Sequence, residues 1–96
     1  MNEVITLIGA AMTVNDVGDE VEVPTRTEVF ARVKSVGASY KLQALAVGIR
    51  PKYRFVLQDR FDYDGQEQVE YEGDLYRVVD TYRGEDQSIE LTVAEV

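Results

Sequence analysis

The chain has 96 residues, 45% of them hydrophobic, which is enough for one modest core but not two, so a single domain is expected and a multi-domain organisation is not. It contains neither Cys nor His, so disulfides, thiol nucleophiles, imidazole bases and nearly all zinc chemistry drop out, and any catalysis would fall to carboxylates, hydroxyls or lysine. Its net charge of −8 is unevenly spread: residues 1–25 carry five acids and no base, residues 26–60 eight bases against two acids, and residues 61–96 eleven acids against two bases.

Met1-Asn2-Glu3 offers no basic segment, and the apolar run behind it is interrupted by Thr6 and Gly9. It reads as neither a signal peptide nor a membrane span, so a soluble intracellular protein is expected. Val4 to Thr13 reads as a first strand, and Asn15-Asp16-Val17-Gly18-Asp19 supplies the residues of a hairpin loop. Val21 and Val23 begin a second strand that Pro24 stops or kinks, because proline cannot donate to a ladder; Arg26 to Val36 resumes it. There Val29, Ala31 and Val33 alternate with Phe30, Arg32 and Lys34, the period of a half-buried strand with one basic face.

The strand pattern then gives way to a helix. Ser39 is a good N-cap, Leu42, Gln43, Ala44, Leu45 and Ala46 are helix formers, Gly48 fits the left-handed position after a helix, and Pro51 prevents continuation. A helix of two to three turns is marginal alone, so this one packs on something or folds conditionally. Two readings stay open: a fixed plug at one end of a small barrel, with Leu42, Leu45 and Val47 buried, or a mobile insert. Strand resumes with Tyr53, Phe55 and Leu57 alternating with Arg54, Val56 and Gln58. After a turn at Asp62-Tyr63-Asp64-Gly65, Val69 and Tyr71 mark a short strand, and Glu72-Gly73-Asp74 turns into Leu75 to Tyr82, with Tyr76, Val78 and Tyr82 on one face. Gly84 to Gln87 turns again, and Ile89, Leu91 and Val93 close the series. The expected fold is mainly β: a single domain over 1–96, an antiparallel barrel or sandwich of about six or seven strands with one short α-helix between central strands.

The chemistry candidates are thin. Aligning Gly65 with the invariant glycine of a calcium loop puts Arg60 at the first ligand position and Tyr71 where a bidentate Glu is required, so Asp62 to Gly65 is a plain turn. Asp59, Asp62, Asp64, Glu67, Glu70 and Glu72 could supply an acid and base pair, but a barrel this small offers little room for the deep cleft that splits carboxylate pKa values. No enzymatic activity, cofactor or metal is expected. Six tyrosines and three phenylalanines could stack on single strands, yet they alternate as core residues do, and the net negative charge opposes polyanion binding.

Taken in order, Val29-Phe30-Ala31-Arg32-Val33-Lys34-Ser35-Val36, the helix with Gln43-Ala44, and Gly48-Ile49-Arg50-Pro51-Lys52-Tyr53-Arg54-Phe55 resemble the head-closure (head-tail joining) proteins of tailed bacteriophages and prophages. Val69 to Val78, Thr81-Tyr82-Arg83 and Ile89-Glu90-Leu91 extend the resemblance over nearly the whole chain. It implies a structural, non-enzymatic virion protein, assembled in the host cytoplasm into a ring, often of twelve, beneath the portal and adaptor. That ring closes the filled capsid, passes DNA without tight binding, offers the tail and its completion proteins a docking surface, and touches no membrane. On this reading Gly37, Ser39, Leu42, Gln43, Leu45, Gly48 and Pro51 belong to a segment able to gate the channel. Arg32, Lys34, Arg50, Lys52 and Arg54 make subunit or adaptor contacts, and Asp62, Asp64, Glu67, Glu70 and Glu72 face the lumen, where acids let a polyanion slide. Two rivals are an acidic DNA mimic that inhibits a host nuclease and a small-barrel nucleic-acid binder.

Overall fold

The computed structural model describes residues 2–96 as six antiparallel strands and one helix. In chain order they are β1 (Asn2–Val14), β2 (Glu20–Lys34), α1 (Ala38–Leu45), β3 (Pro51–Leu57), β4 (Gln68–Tyr71), β5 (Asp74–Arg83) and β6 (Ile89–Glu95), with a 3-10 turn at Arg60–Asp62 before β4. The strands close a barrel in the order β1-β2-β3-β6-β5-β4, β4 returning to pair with β1, so the expected mainly-β fold takes its closed form. Closure leaves no free edge around the barrel body, which is how a small sheet protects its backbone groups.

Inward positions follow the period of two. Ile5, Leu7, Phe55, Leu57, Val69, Leu91 and Val93 are fully buried, and Ala31, Tyr71, Tyr76 and Ile89 complete the core. Tyr53, Phe55, Tyr71 and Tyr76 cluster inside, the Tyr53 ring 5.5 Å from Tyr71 and 5.6 Å from Tyr76, both edge-on, whereas Phe30, Phe61 and Tyr82 are exposed. Such tilted pairs contribute about 0.5–1.5 kcal/mol each beyond their burial.

Two expectations are corrected here. Pro24 neither stops nor kinks β2, which runs unbroken through it opposite Ala10. The hairpin bond from Asn15 N to Asp19 O makes the odd-numbered pairs of this ladder the hydrogen-bonded ones, so Pro24 falls at a non-bonded pair where its missing N–H costs nothing. Tyr82 does not share the inward face of Tyr76 and Val78: a bulge between Val78 and Asp80 shifts the alternation, and Tyr82 is 65% exposed.

The connections alternate between the two ends of the barrel, as antiparallel neighbours require. One end carries the β1–β2 hairpin, the β3–β4 connection and the β5–β6 turn; the other carries α1 and the β4–β5 turn. The β3–β4 connection crosses its end with Tyr63 packed on the core and is held by Arg60 N donating to Gln87 O at 2.8 Å.

β1 and β2 are longer than the barrel can use. β1 pairs with β4 only at Thr6 to Ile8, and β2 with β3 only at Arg32 to Lys34, although the two pair with each other along their whole length. The remainder, Gly9 to Thr25, projects as a two-stranded arm, reaching about 20 Å at a strand's rise per residue. The radius of gyration is 14.9 Å, against about 12.5 Å for a compact domain of this length.

Candidate functional site

The barrel interior is filled by side chains, so function falls to its surfaces, and these differ at the two ends. At the helix end, α1 begins from Gly37 rather than from the expected Ser39: Lys41 N donates to Gly37 O at 3.0 Å, no side chain caps the first turn, and Ser39 is exposed within it. Burial of Val36 sets where the chain leaves β2 and starts the helix two residues early. The far end follows expectation. Gly48, at φ 81°, donates to Leu45 O at 3.0 Å and Ile49 N to Ala44 O at 2.9 Å, a Schellman ending that only glycine adopts without strain.

α1 does not plug the barrel. Leu42, Leu45 and Val47, which a plug would bury, are 71%, 54% and 73% exposed, and only Ala44 of the helix is buried. Tyr40 instead ties α1 to the outside of the wall. Its hydroxyl donates to Asp80 Oδ2 on β5 at 3.1 Å, and the Arg54 guanidinium of β3 lies 5.2 Å from its ring centroid. Arg54 Nε in turn donates to Thr92 Oγ1 on β6 at 3.3 Å. Burial, then the bond to Asp80, pushes the Tyr40 hydroxyl above the usual tyrosine range. The helix is thus anchored by one aromatic side chain, a buried Ala44 and buried residues on its flanks, Val36 and Pro51. Gly37 and Gly48 bracket it with open space where a Cβ would go, and Gln43 is exposed.

The expected basic contacts are brought to one outer face but are not equally available. Lys34 Nζ bonds Glu90 at 3.1 Å and Lys52 Nζ bonds Glu95 at 3.0 Å, while Arg54 is engaged as described. Arg32 lies exposed across a shallow cleft from Asp86. Arg50 has no carboxylate partner among the described residues; with Lys41 it rims a groove of about 360 Å³ walled by Leu45, Ile49 and Pro51.

The expected lumen acids are not gathered. Asp62 belongs to the 3-10 turn, Glu70 is bound to Arg26 at 3.0 Å, and Glu72 turns the chain at the helix end with φ 51°. Asp64 and Glu67 do converge, with Glu22, on a cleft of about 490 Å³ at the base of the arm. Gly9 makes room there, since a Cβ would come 2.9 Å from Gln66 Cγ. Asp59 caps the 3-10 turn by accepting from Phe61 N at 2.9 Å. Among the described residues no cluster of three acids could hold a metal ion, and no helix is long and apolar enough to cross a membrane.

Folding also redistributes the charge blocks. All three ion pairs among the described residues join a base from 26–60 to an acid from 61–96. The acids of the arm, Asp16, Asp19, Glu20 and Glu22, have no such partner. This arm is the surface that sequence reasoning missed. Its signal was strand length: a hairpin of some thirty residues facing strands of 4 to 10 residues cannot be paired throughout. The sequence matches no protein-family model and no curated protein.

Proposed function

We propose that this chain is a structural subunit that assembles with copies of itself into a ring at the head-tail junction of a tailed bacteriophage, closing the DNA-filled capsid and presenting a docking surface to the tail. The observation that carries the reading is the molecule's polarity: a core-filled barrel has at one end an acidic, projecting arm and at the other a lightly anchored helix beside unpaired bases. Unlike surfaces, an acidic arm tip and a groove rimmed by Lys41 and Arg50, suit head-to-tail contacts that close into rings. The ordered resemblance of residues 29–55 and 69–91 to head-closure proteins supplies the phage context.

On this reading the segment from Val36 to Pro51 is the moving part, since Gly37 and Gly48 bracket a helix that buries one residue of its own. Of the acids assigned to the lumen, Asp62, Asp64, Glu67 and Glu72 are exposed and would repel passing DNA, while Glu70 is bound to Arg26. DNA-filled capsids produced without this protein test the role. Adding the purified chain is expected to protect the packaged DNA from added nuclease and to permit tail attachment; unchanged nuclease sensitivity and no tail attachment would contradict it.

A further inference from the structure

We propose that the β1–β2 arm of one copy docks in the groove between α1 and β3 of a second copy, so that successive subunits join head to tail. The inference deepens the self-assembly reading and rests on it.

The arm lacks the support a two-stranded ribbon needs. Isolated hairpins are marginally stable in water, yet Ala10 to Glu20 are exposed throughout, and neither arm strand has a second neighbour. One face, Ala11 and Thr13 beside Val21 and Val23, carries no charge; the other sets Met12 and Val14 opposite Glu22 and Glu20. At the tip Val17 is 79% exposed, but the loop holding it is shaped: Asn15 Oδ1 accepts from Val17 N at 3.1 Å and Asp19 N at 3.0 Å, and Gly18 takes φ 86°. An ordered apolar knob ringed by Asp16, Asp19 and Glu20 is a preorganised ligand.

The groove has the converse character. Leu45, Ile49 and Pro51 form its walls, with Leu42 and Val47 exposed nearby, and Lys41 and Arg50 stand at its rim. No acid occurs from Ser35 to Gln58, just as no base occurs before Arg26. The occupant is a second copy because both complementary surfaces lie on this chain, at opposite ends of one barrel. A twofold pairing is disfavoured, since arm against arm or groove against groove sets like charges together. The contact is heterologous, the kind that propagates until it closes.

The chain has no cysteine, so engineered pairs report without background. Single variants Val17→Cys and Leu45→Cys, both at exposed positions, are mixed under mild oxidation at high concentration, with Val14→Cys and Leu42→Cys as a second pair. Mixed disulfide dimers are expected well in excess of either homodimer. Adding Arg50→Glu to the groove partner should cut the yield about tenfold, as converting a modest rim attraction into repulsion does, and Glu20→Arg beside the tip of the arm partner should restore it. Mixed dimers no more abundant than twice either homodimer, the ratio random pairing gives, for both pairs would overturn the arm contact. If rings still formed on portal-containing capsids, the ring reading would survive that result. A double variant carrying both Val17→Cys and Leu45→Cys, able to link on both sides, that cross-links into open filaments and ignores capsids would support the contact and overturn the ring.

Discussion

Phe55, the largest fully buried side chain, stands 5.2 Å from the Tyr71 ring and 5.9 Å from Tyr53, so its loss opens a cavity within an aromatic cluster. Phe55→Ala is expected to cost about 3–5 kcal/mol and Leu42→Ser less than about 0.5, measured by urea denaturation. Tyr71 donates to both carboxylate oxygens of Glu3 at 3.0 Å; burial first, and that bond second, raise its pKa far above the ordinary tyrosine value. An unfolded tyrosine ionises near 10. Stability from Tyr71 is therefore complete below about pH 10 and is lost as pH rises toward the folded pKa. Burial raises Tyr63 and Tyr76 in the same direction. Tyr71→Phe should flatten part of the alkaline loss seen in denaturation midpoints from pH 9 to 11; an unchanged slope would show that Tyr71 ionises as readily folded as unfolded.

Among the elements, α1 depends on its ending. Gly48→Ala places a Cβ in the left-handed region at a cost of about 1–2 kcal/mol, and amide exchange at Ala44 to Ile49 should accelerate while β6 is unaffected. In the free monomer α1 is expected to exchange quickly and in the assembled ring slowly; equal protection would contradict a moving segment. The strands and the helix's glycine ending were legible because alternation at Tyr53, Phe55 and Leu57, and the Gly48-to-Pro51 spacing, are local signals. The start of α1 was not, because the buried Val36 outweighed the capping preference of Ser39. Tyr82 and Pro24 were misplaced for a similar reason: bulges and ladder phase are set between strands, not within one. Ring contacts assigned to bases by sequence proximity could not anticipate that Lys34 and Lys52 are bound to Glu90 and Glu95 across the barrel.

For the whole molecule, exposed ion pairs contribute only about 0–1 kcal/mol each, so in the proposed assembly charge is expected to bear on association more than on stability. Charge reversal at Arg50 should weaken subunit docking more than reversal at Lys52 or Arg54, which have partners within the chain, and added salt should narrow that difference. Equal docking by all three variants at every ionic strength would remove electrostatics from the contact. The proposed assembly is a ring of head-to-tail subunits below the portal. Electron microscopy of portal-containing capsids incubated with this protein tests it most directly: a closed ring at the portal vertex, each arm reaching its neighbour, is predicted, and capsids that leave the portal vertex bare would contradict it.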